Sequence, residues 1–172
     1  MNYQISYISP AGHAEVLAET FGRILPRGTM IVNLEREEAV ADAEVHLIGF
    51  ELTGNSDAIP FTILEYLEQL EDKSILFFVT SPFEPNDKLK DSIERKLLPF
   101  LPESCDYRGM FVCYGEVSKE MMRDLRNRLS QQPDNERGQE LLHTFNESVG
   151  HPDKADARQG CSFIINALEL NL

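Results

Sequence analysis

The sequence lacks the features that would assign it to a membrane, secreted or disulfide-bonded class. It has no apolar run of the ~20 residues that a membrane-spanning helix needs, and it does not begin with a basic segment followed by a signal-type apolar run. It has only three cysteines, an odd number without CxxC spacing, which argues against a disulfide framework and a zinc site. We therefore expect a cytoplasmic protein with ordinary buried thiols and no bound metal.

Basic residues are also scarce. Sixteen Lys and Arg stand against 29 Asp and Glu, which gives a formal net charge of −13 at pH 7. Because nucleic-acid phosphates are held mainly by Lys and Arg, this balance argues strongly against a nucleic-acid partner. An acidic surface either keeps a protein soluble or docks a basic partner protein, and both interpretations stay open at this point.

Apolar runs alternate with helical patterns along the chain. The 172 residues are enough for one well-packed core, so we expect a single domain over residues 1–172. Residues from about 118 to 170 carry only helical spacing and predict a helical C-terminal tail. The alternation predicts a five-stranded parallel sheet with helices on both faces. The predicted strands are Tyr3–Ile8, Thr29–Leu34, Val45–Phe50, Ile75–Val79 and Asp106–Gly115.

The loops after the first, third and fourth strands are the predicted ligand site. In such sheets ligands lie at the carboxyl ends of the strands, and for the order 2-1-3-4-5 the switch point falls between the first and third strands. The loops that meet there are Ser9–Ala14, Phe50–Asp57 and Thr80–Asp87. A helix from about His13 follows the first turn, and its free N–H groups and positive end suit a phosphate. With no ligand, the same turn would be a packing corner only.

Several chemistries are excluded by what these loops lack. Neither GxGxxG nor GxxxxGKS/T is present, so nucleotide sites of those types are not expected. Ser9 and Gly49 stand where a phosphoacceptor receiver domain would place carboxylates. No cysteine opens a loop as a thiol phosphatase requires, and of the four histidines only His13 is placed to meet a ligand. We therefore assign no catalytic residue.

The first turn has a counterpart in a known family. Ser9–Ala14, with the sequence SPAGHA, stands where flavodoxins carry a phosphate loop of the form S/T-x-T-G-x-T. Leu47–Phe50, Tyr114–Val117 and Gly150–Asp153 are similar to stretches of small flavodoxin-like proteins of anaerobic bacteria. The chain thus resembles the flavodoxin-like family over nearly its whole length. The resemblance implies a flavodoxin-like three-layer sandwich that binds FMN non-covalently and passes electrons to a partner enzyme.

Two threonines of the family pattern are replaced here by Ala11 and Ala14. Their absence removes two hydroxyl donors to the FMN phosphate. Ser9, the backbone N–H groups around Gly12 and a protonated His13 remain as donors. Each lost hydrogen bond to a charged group costs roughly 1.5 to 3 kcal/mol, so we expect FMN to bind about a hundredfold more weakly, or worse.

The other two loops supply the remaining residues that the resemblance implies. Glu51 and Glu84 align with the Trp and Tyr that stack on the flavin, so Phe50 and Phe83 either take over that role or pack into the sheet ends. A backbone carbonyl of Thr53-Gly54-Asn55 would face flavin N5. The implied cofactor-binding residues are Ser9, Pro10, Ala11, Gly12, His13, Ala14, Phe50, Glu51, Leu52, Thr53, Gly54, Thr80, Ser81, Pro82, Phe83 and Glu84.

Two functions stay open. In the first, the protein is an FMN-binding electron carrier whose acidic rim, formed by Glu51, Asp57 and Glu84, docks a redox partner with a basic face. In the second, the flavin site has decayed and the domain is an acidic protein-interaction module or subunit. Neither function makes the chain a stand-alone enzyme.

Overall fold

Five parallel strands form one sheet in the order 2-1-3-4-5, with the strands numbered along the chain. The computed structural model describes residues 1–39, 42–54 and 58–171. The strands are β1 (Tyr3–Tyr7), β2 (Met30–Asn33), β3 (Val45–Glu51), β4 (Ser74–Ser81) and β5 (Asp106–Tyr114). This order confirms the predicted fold class. It also places the ends of β1 and β3 side by side, since Tyr7 pairs with Gly49.

The central strands are buried on both faces, as their continuous apolar runs predict. Every residue of β1 and β3 is buried, whereas the edge strand β2 exposes Met30 and Ile31. The third strand runs one residue further than predicted, to Glu51, which pairs with Thr80 of β4. Glu51 is therefore held by the sheet and is not part of a loose loop.

Helices cover both faces of the sheet and make a three-layer sandwich. One core lies on the side of the first helix, α1 (His13–Gly22), and the last helix, α6 (Lys154–Ala167), and contains Phe21, Leu47 and Phe78. The other lies on the side of α2 (Phe61–Glu68) and α3 (Asp87–Leu97) and contains Phe50 and Phe77. The helices are α1 (His13–Gly22), α2 (Phe61–Glu68), α3 (Asp87–Leu97), α4 (Lys119–Gln131), α5 (Glu136–Ser148) and α6 (Lys154–Ala167), with a 3-10 turn at Leu98–Phe100.

The predicted helical tail divides into two parts with different roles. Helix α6 packs against α1 and β5 and completes one layer of the sandwich. Helices α4 and α5 pack on each other as a hairpin and form a third apolar cluster around Val117, Met122 and Phe145. One helix is enough to finish the layer, so the hairpin is additional to the sandwich. None of the described helices is long and apolar enough to cross a membrane.

A buried polar network lies between the sheet and α2. His46 Nε2 lies 2.9 Å from the Ala43 carbonyl, and its Nδ1 lies 3.1 Å from the Tyr66 hydroxyl. Gln4 Nε2 donates to Tyr66 and to Ser6, at 2.9 Å each. Burial lowers the pKa of His46 from 6.5 to about 4, because the charged imidazolium is disfavoured away from water. His46 therefore packs within β3 and is neutral at physiological pH.

Candidate functional site

The turn after β1 ends at Gly12, which has a left-handed backbone conformation with φ of 86°. Glycine adopts this conformation without steric cost. Gly12 is also the residue just before α1, and its position has no side chain to cap the helix. The first N–H groups of a helix have no partner within it, so those of α1 need an acceptor from elsewhere.

The side chain of Glu51 is that acceptor. Its Oε2 accepts hydrogen bonds from Ser9 Oγ at 2.5 Å, from His13 N at 2.8 Å and from Ala14 N at 2.9 Å. Its Oε1 accepts from Ala11 N at 2.8 Å. Only 5% of Glu51 is exposed. Four donors of the turn therefore converge on one carboxylate of the protein itself.

Sheet geometry explains how Glu51 reaches the turn. Alternate residues of a strand point to opposite faces, so Glu51 shares its face with Leu47, which packs in the α1-side core. Phe50 points the other way and lies in the α2-side core. The hydrogen bond from Ile8 N to Gly49 O, 3.0 Å long, holds the chain after β1 against β3. The side chain of Glu51 therefore points toward the N-terminus of α1, where its carboxylate contacts the first backbone N–H groups of the helix.

The electrostatics of this position favour an anion. The N-terminal end of a helix carries a partial positive charge, and hydrogen bonds to a carboxylate are stronger than those between neutral groups. Ser9 Oγ donates to Glu51 and also accepts from Glu15 N at 2.9 Å. The hydroxyl therefore links the carboxylate to the first turn of α1, and the donor set is fully used.

The structure corrects part of the predicted site. The expectation that Glu51 belongs to an exposed acidic rim is wrong, since its side chain is buried in the turn. Ala11 and Ala14 lack hydroxyls, but their backbone N–H groups bind the anion. The ring of His13 does not bind the Glu51 carboxylate; its Nε2 lies 3.1 Å from the Glu116 carbonyl oxygen. Phe50 is fully buried and leaves no face for a flavin to stack on.

The residues predicted after β3 and β4 do not form one open surface. Leu52, Thr80 and Ser81 are buried in the sheet and its core. Leu52 N donates to the Thr80 carbonyl at 2.8 Å, which continues the pairing of the two strands. Thr53 and Glu84 are exposed. Asn55 and Asp57, the other residues named for these loops, lie outside the described residues.

The α4–α5 hairpin lies against these loops. A Cβ added to Gly54 would come within 2.8 Å of Met121 Sδ and 3.0 Å of Pro82 Cγ. The ring of Phe83 packs on that of Phe145, with centroids 6.1 Å apart. Side chains of the hairpin therefore lie over the ends of β3 and β4, where the flavin ring was expected.

A cavity of about 540 Å³ remains between the turn and the start of α4. Seven of its lining residues come from the first turn and the next two loops, all of them among the predicted site residues: Pro10, Ala11, His13, Glu51, Leu52, Thr53 and Pro82. The other five come from the segment after β5: Glu116, Val117, Ser118, Lys119 and Met121. Sequence reasoning missed this second group. The helical C-terminal tail was the one sequence feature that could have indicated them, because it contains more helices than the sandwich needs.

A second cluster of polar side chains lies at the start of α6. His151 Nδ1 is 2.6 Å from Asp156 Oδ2, which also accepts from Asp153 N at 2.8 Å. Asp153 in turn caps the helix by accepting from Asp156 N at 2.9 Å. The ligand atoms of these three side chains lie close enough together to hold a cation. Within the cluster the Asp156 carboxylate already contacts the His151 ring, and the Asp153 carboxylate already accepts from the Asp156 backbone N–H, so these groups stabilise the first turn of α6.

The family model described as a flavodoxin domain matches residues 4–164. The chain belongs to the flavodoxin domain family. A search of the curated proteins found no match. Proteins of this family typically bind FMN, and the resemblance of Ser9–Ala14 to a flavodoxin phosphate loop implies that the turn after β1 would hold the FMN phosphate. This turn does not fit a phosphate as it stands, because the donors that would hold the phosphate already hold the Glu51 carboxylate.

Proposed function

We propose that this flavodoxin-domain protein works as an acidic protein-interaction module or subunit and does not carry FMN in the turn after β1. The observation that carries the proposal is the Glu51 carboxylate, which accepts four hydrogen bonds from the turn. Because a side chain of the protein itself occupies the turn after β1, the protein keeps the architecture of the family without the family's ligand.

Phosphate binding at the turn would face three costs. Glu51 would have to give up its four donors, and the incoming phosphate would lie close to a carboxylate of the same sign. Two unit charges 4 Å apart repel by about 4 kcal/mol at an effective dielectric constant of about 20. The turn also lacks the hydroxyls that Ala11 and Ala14 would carry as threonines. Any one of these costs weakens binding, and together they favour a turn without FMN.

The position of the α4–α5 hairpin supports the same proposal. Met121 and Phe145 lie over the ends of β3 and β4, against Gly54 and Phe83. A flavin ring placed there would have to displace these side chains. An electron carrier needs an exposed cofactor edge, so this arrangement favours the interaction module over the electron-transfer protein.

The proposed partner presents a basic surface. The protein has a net charge of −13, and Glu35, Glu37 and Glu38 are all exposed in the segment after β2. This segment lies at the carboxyl ends of the strands, as the turn does, because Leu34 N donates to the Tyr7 carbonyl at 2.9 Å. We call this side of the sheet its carboxyl edge. Exposed Glu84 lies at the same edge, after β4. Complementary charge would steer a basic partner to this edge.

Titration of the purified protein with FMN tests the proposal. FMN fluorescence is followed as protein is added, with riboflavin as the matched ligand that lacks the phosphate. We expect no saturable quenching at micromolar flavin and a colourless preparation. Saturable quenching by FMN, or a yellow protein whose flavin is released on denaturation, would overturn the proposal and restore electron transfer to a partner oxidoreductase as the better function.

A further inference from the structure

We propose that helix α4 carries a docking surface for an acidic helix of a partner protein. The surface is formed by three cations, Lys119, Arg123 and Arg126, which line one groove together with apolar side chains. We call these three cations the α4 stripe. The stripe adds to the proposed function, because its charge is opposite to that of the acidic carboxyl edge and because it is present whether or not the turn after β1 binds FMN.

Charges on α4 are sorted by side. Lys119, Arg123 and Arg126 are spaced i, i+4 and i+7, which places them on one side of the helix. Glu120 and Asp124 line a different cavity. Like charges at i and i+4 destabilise a helix, and a solvated protein surface usually mixes both signs. The sorting therefore indicates a side of α4 that meets negative charge from another molecule.

The α4 stripe is not neutralised by the protein itself. Its three side chains are exposed, and they form no ion pair within residues 1–39, 42–54 and 58–171. Glu116 supplies the one carboxylate among the residues that line the groove. The protein has a net charge of −13, yet this side of α4 is locally positive. An acidic ligand would therefore find three cations available here.

The groove beside the stripe offers apolar contact on a preformed base. Its volume is about 400 Å³. Val117 and Met122 line it and are almost fully buried in the cluster under α4 and α5, whereas Val149 at the end of α5 is 53% exposed. Val117 N donates to the hydroxyl of buried Ser148 at 3.1 Å, which ties the segment before α4 to the end of α5. A surface that is already ordered loses less conformational entropy on binding.

The spacing of the cations favours a helical partner. Lys119 and Arg126 are seven residues apart in α4, which corresponds to about 10 Å along the helix axis. Acidic residues at i, i+4 and i+7 of a second helix cover the same length, and an apolar residue on the same side can contact Val149. All the lining residues follow β5 in the chain and lie in α4, before it or at the end of α5. An extended segment would therefore find no sheet edge in the groove.

Long-range charge separates this partner from other negative ligands. Nucleic acids and anionic membranes present extended negative surfaces, which a protein of net charge −13 repels. A second copy of the chain carries the same net charge and is repelled in the same way. One short acidic helix adds few charges, so the local attraction of three cations can exceed the repulsion.

The experiment measures binding of a synthetic acidic helix by fluorescence anisotropy. The probe is a labelled, alanine-based peptide of about 20 residues with glutamate at i, i+4 and i+7 and one leucine beside them. The control peptide has glutamine in place of each glutamate. We expect the wild-type protein to bind the glutamate peptide saturably at low salt and more weakly as salt is raised. The glutamine peptide should not bind.

Charge-reversal variants test where the peptide binds. Arg123→Glu with Arg126→Glu reverses two charges of the stripe. The matched control is Arg128→Glu with Arg137→Glu, which reverses two exposed charges elsewhere on the same hairpin. We expect the stripe variant to bind the peptide about tenfold more weakly, or worse, and the control variant to stay within about twofold of the wild type. Val149→Ser should also weaken binding, which a general attraction between charges would not explain.

Three outcomes would overturn the proposal: no saturable binding by the wild type, saturable binding of the glutamine peptide, or equal weakening by the two double variants. Urea unfolding should give both double variants nearly wild-type stability, because all four side chains are exposed. Sedimentation of the protein alone tests the second copy: a dimer that the stripe variant loses would make another copy the occupant and overturn the partner helix. FMN binding would instead overturn the proposed function and leave the α4 stripe in place, so the two failures are distinguishable.

Discussion

Glu51→Gln should lower the free energy of unfolding by about 2–4 kcal/mol. The glutamine amide can direct its oxygen toward Ser9, His13 and Ala14, but its NH₂ group then meets the Ala11 N–H, donor against donor. The variant thus loses one hydrogen bond to a charged group, worth about 1.5–3 kcal/mol, and weakens three others that were charge-assisted. Relief from burying a carboxylate offsets part of this loss.

Urea unfolding followed by circular dichroism measures the effect. For a domain of this size, 1 kcal/mol corresponds to about 2–4 °C in Tm, so we expect the thermal midpoint to fall by roughly 4–16 °C. The dependence of unfolding free energy on urea should keep its slope, because the buried surface is unchanged.

Glu116→Gln is the control, since it removes the same charge from an exposed side chain near the turn. We expect it to change the unfolding free energy by less than about 0.5 kcal/mol. A Glu51→Gln variant as stable as this control would show that the four hydrogen bonds add no net stability. The account of the turn as a site that requires an anion would then fail.

Two further predictions concern the buried histidine and the acidic edge. The pKa of His46 is lowered from 6.5 to about 4, so between these values the unfolded chain binds more protons than the native protein. The contribution of His46 to the free energy of unfolding should be constant above about pH 6.5 and fall by about 3 kcal/mol toward pH 4. Urea unfolding of the wild type and of His46→Gln across this pH range measures that contribution as the difference between the two proteins. Equal pH profiles of the two proteins would contradict the prediction. A partner recovered from the native host at low salt should be lost when Glu37 and Glu38 are changed to glutamine, and when salt is raised. Glu103 is exposed just before the amino end of β5, so Glu103→Gln should leave the partner bound. Loss of the partner from Glu103→Gln but not from the Glu37 and Glu38 variant would place the docking surface elsewhere.

Local pattern was sufficient for much of this protein. The five apolar runs predicted the five strands, and the run Ile75–Val79 within β4 is continuous because a parallel strand buried on both faces needs apolar sequence throughout. The order of elements then placed the candidate site at the carboxyl ends of β1, β3 and β4. Ser9–Ala14 was identified as the turn that would face a ligand, since glycine and a helix start together predict converging N–H groups.

Only the tertiary structure decided what those N–H groups bind. In the sequence, Glu51 is a polar residue after an apolar run, which is typical of an exposed loop. Its burial follows from one more residue of pairing with β4 and from the side-chain alternation of β3, which turns Glu51 toward α1 and Phe50 away from it. Likewise, helical spacing predicted α4 and α5 but not their place over the strand ends. Hydrogen bonds and packing between segments distant in sequence depend on strand register and helix docking, and no local pattern encodes them.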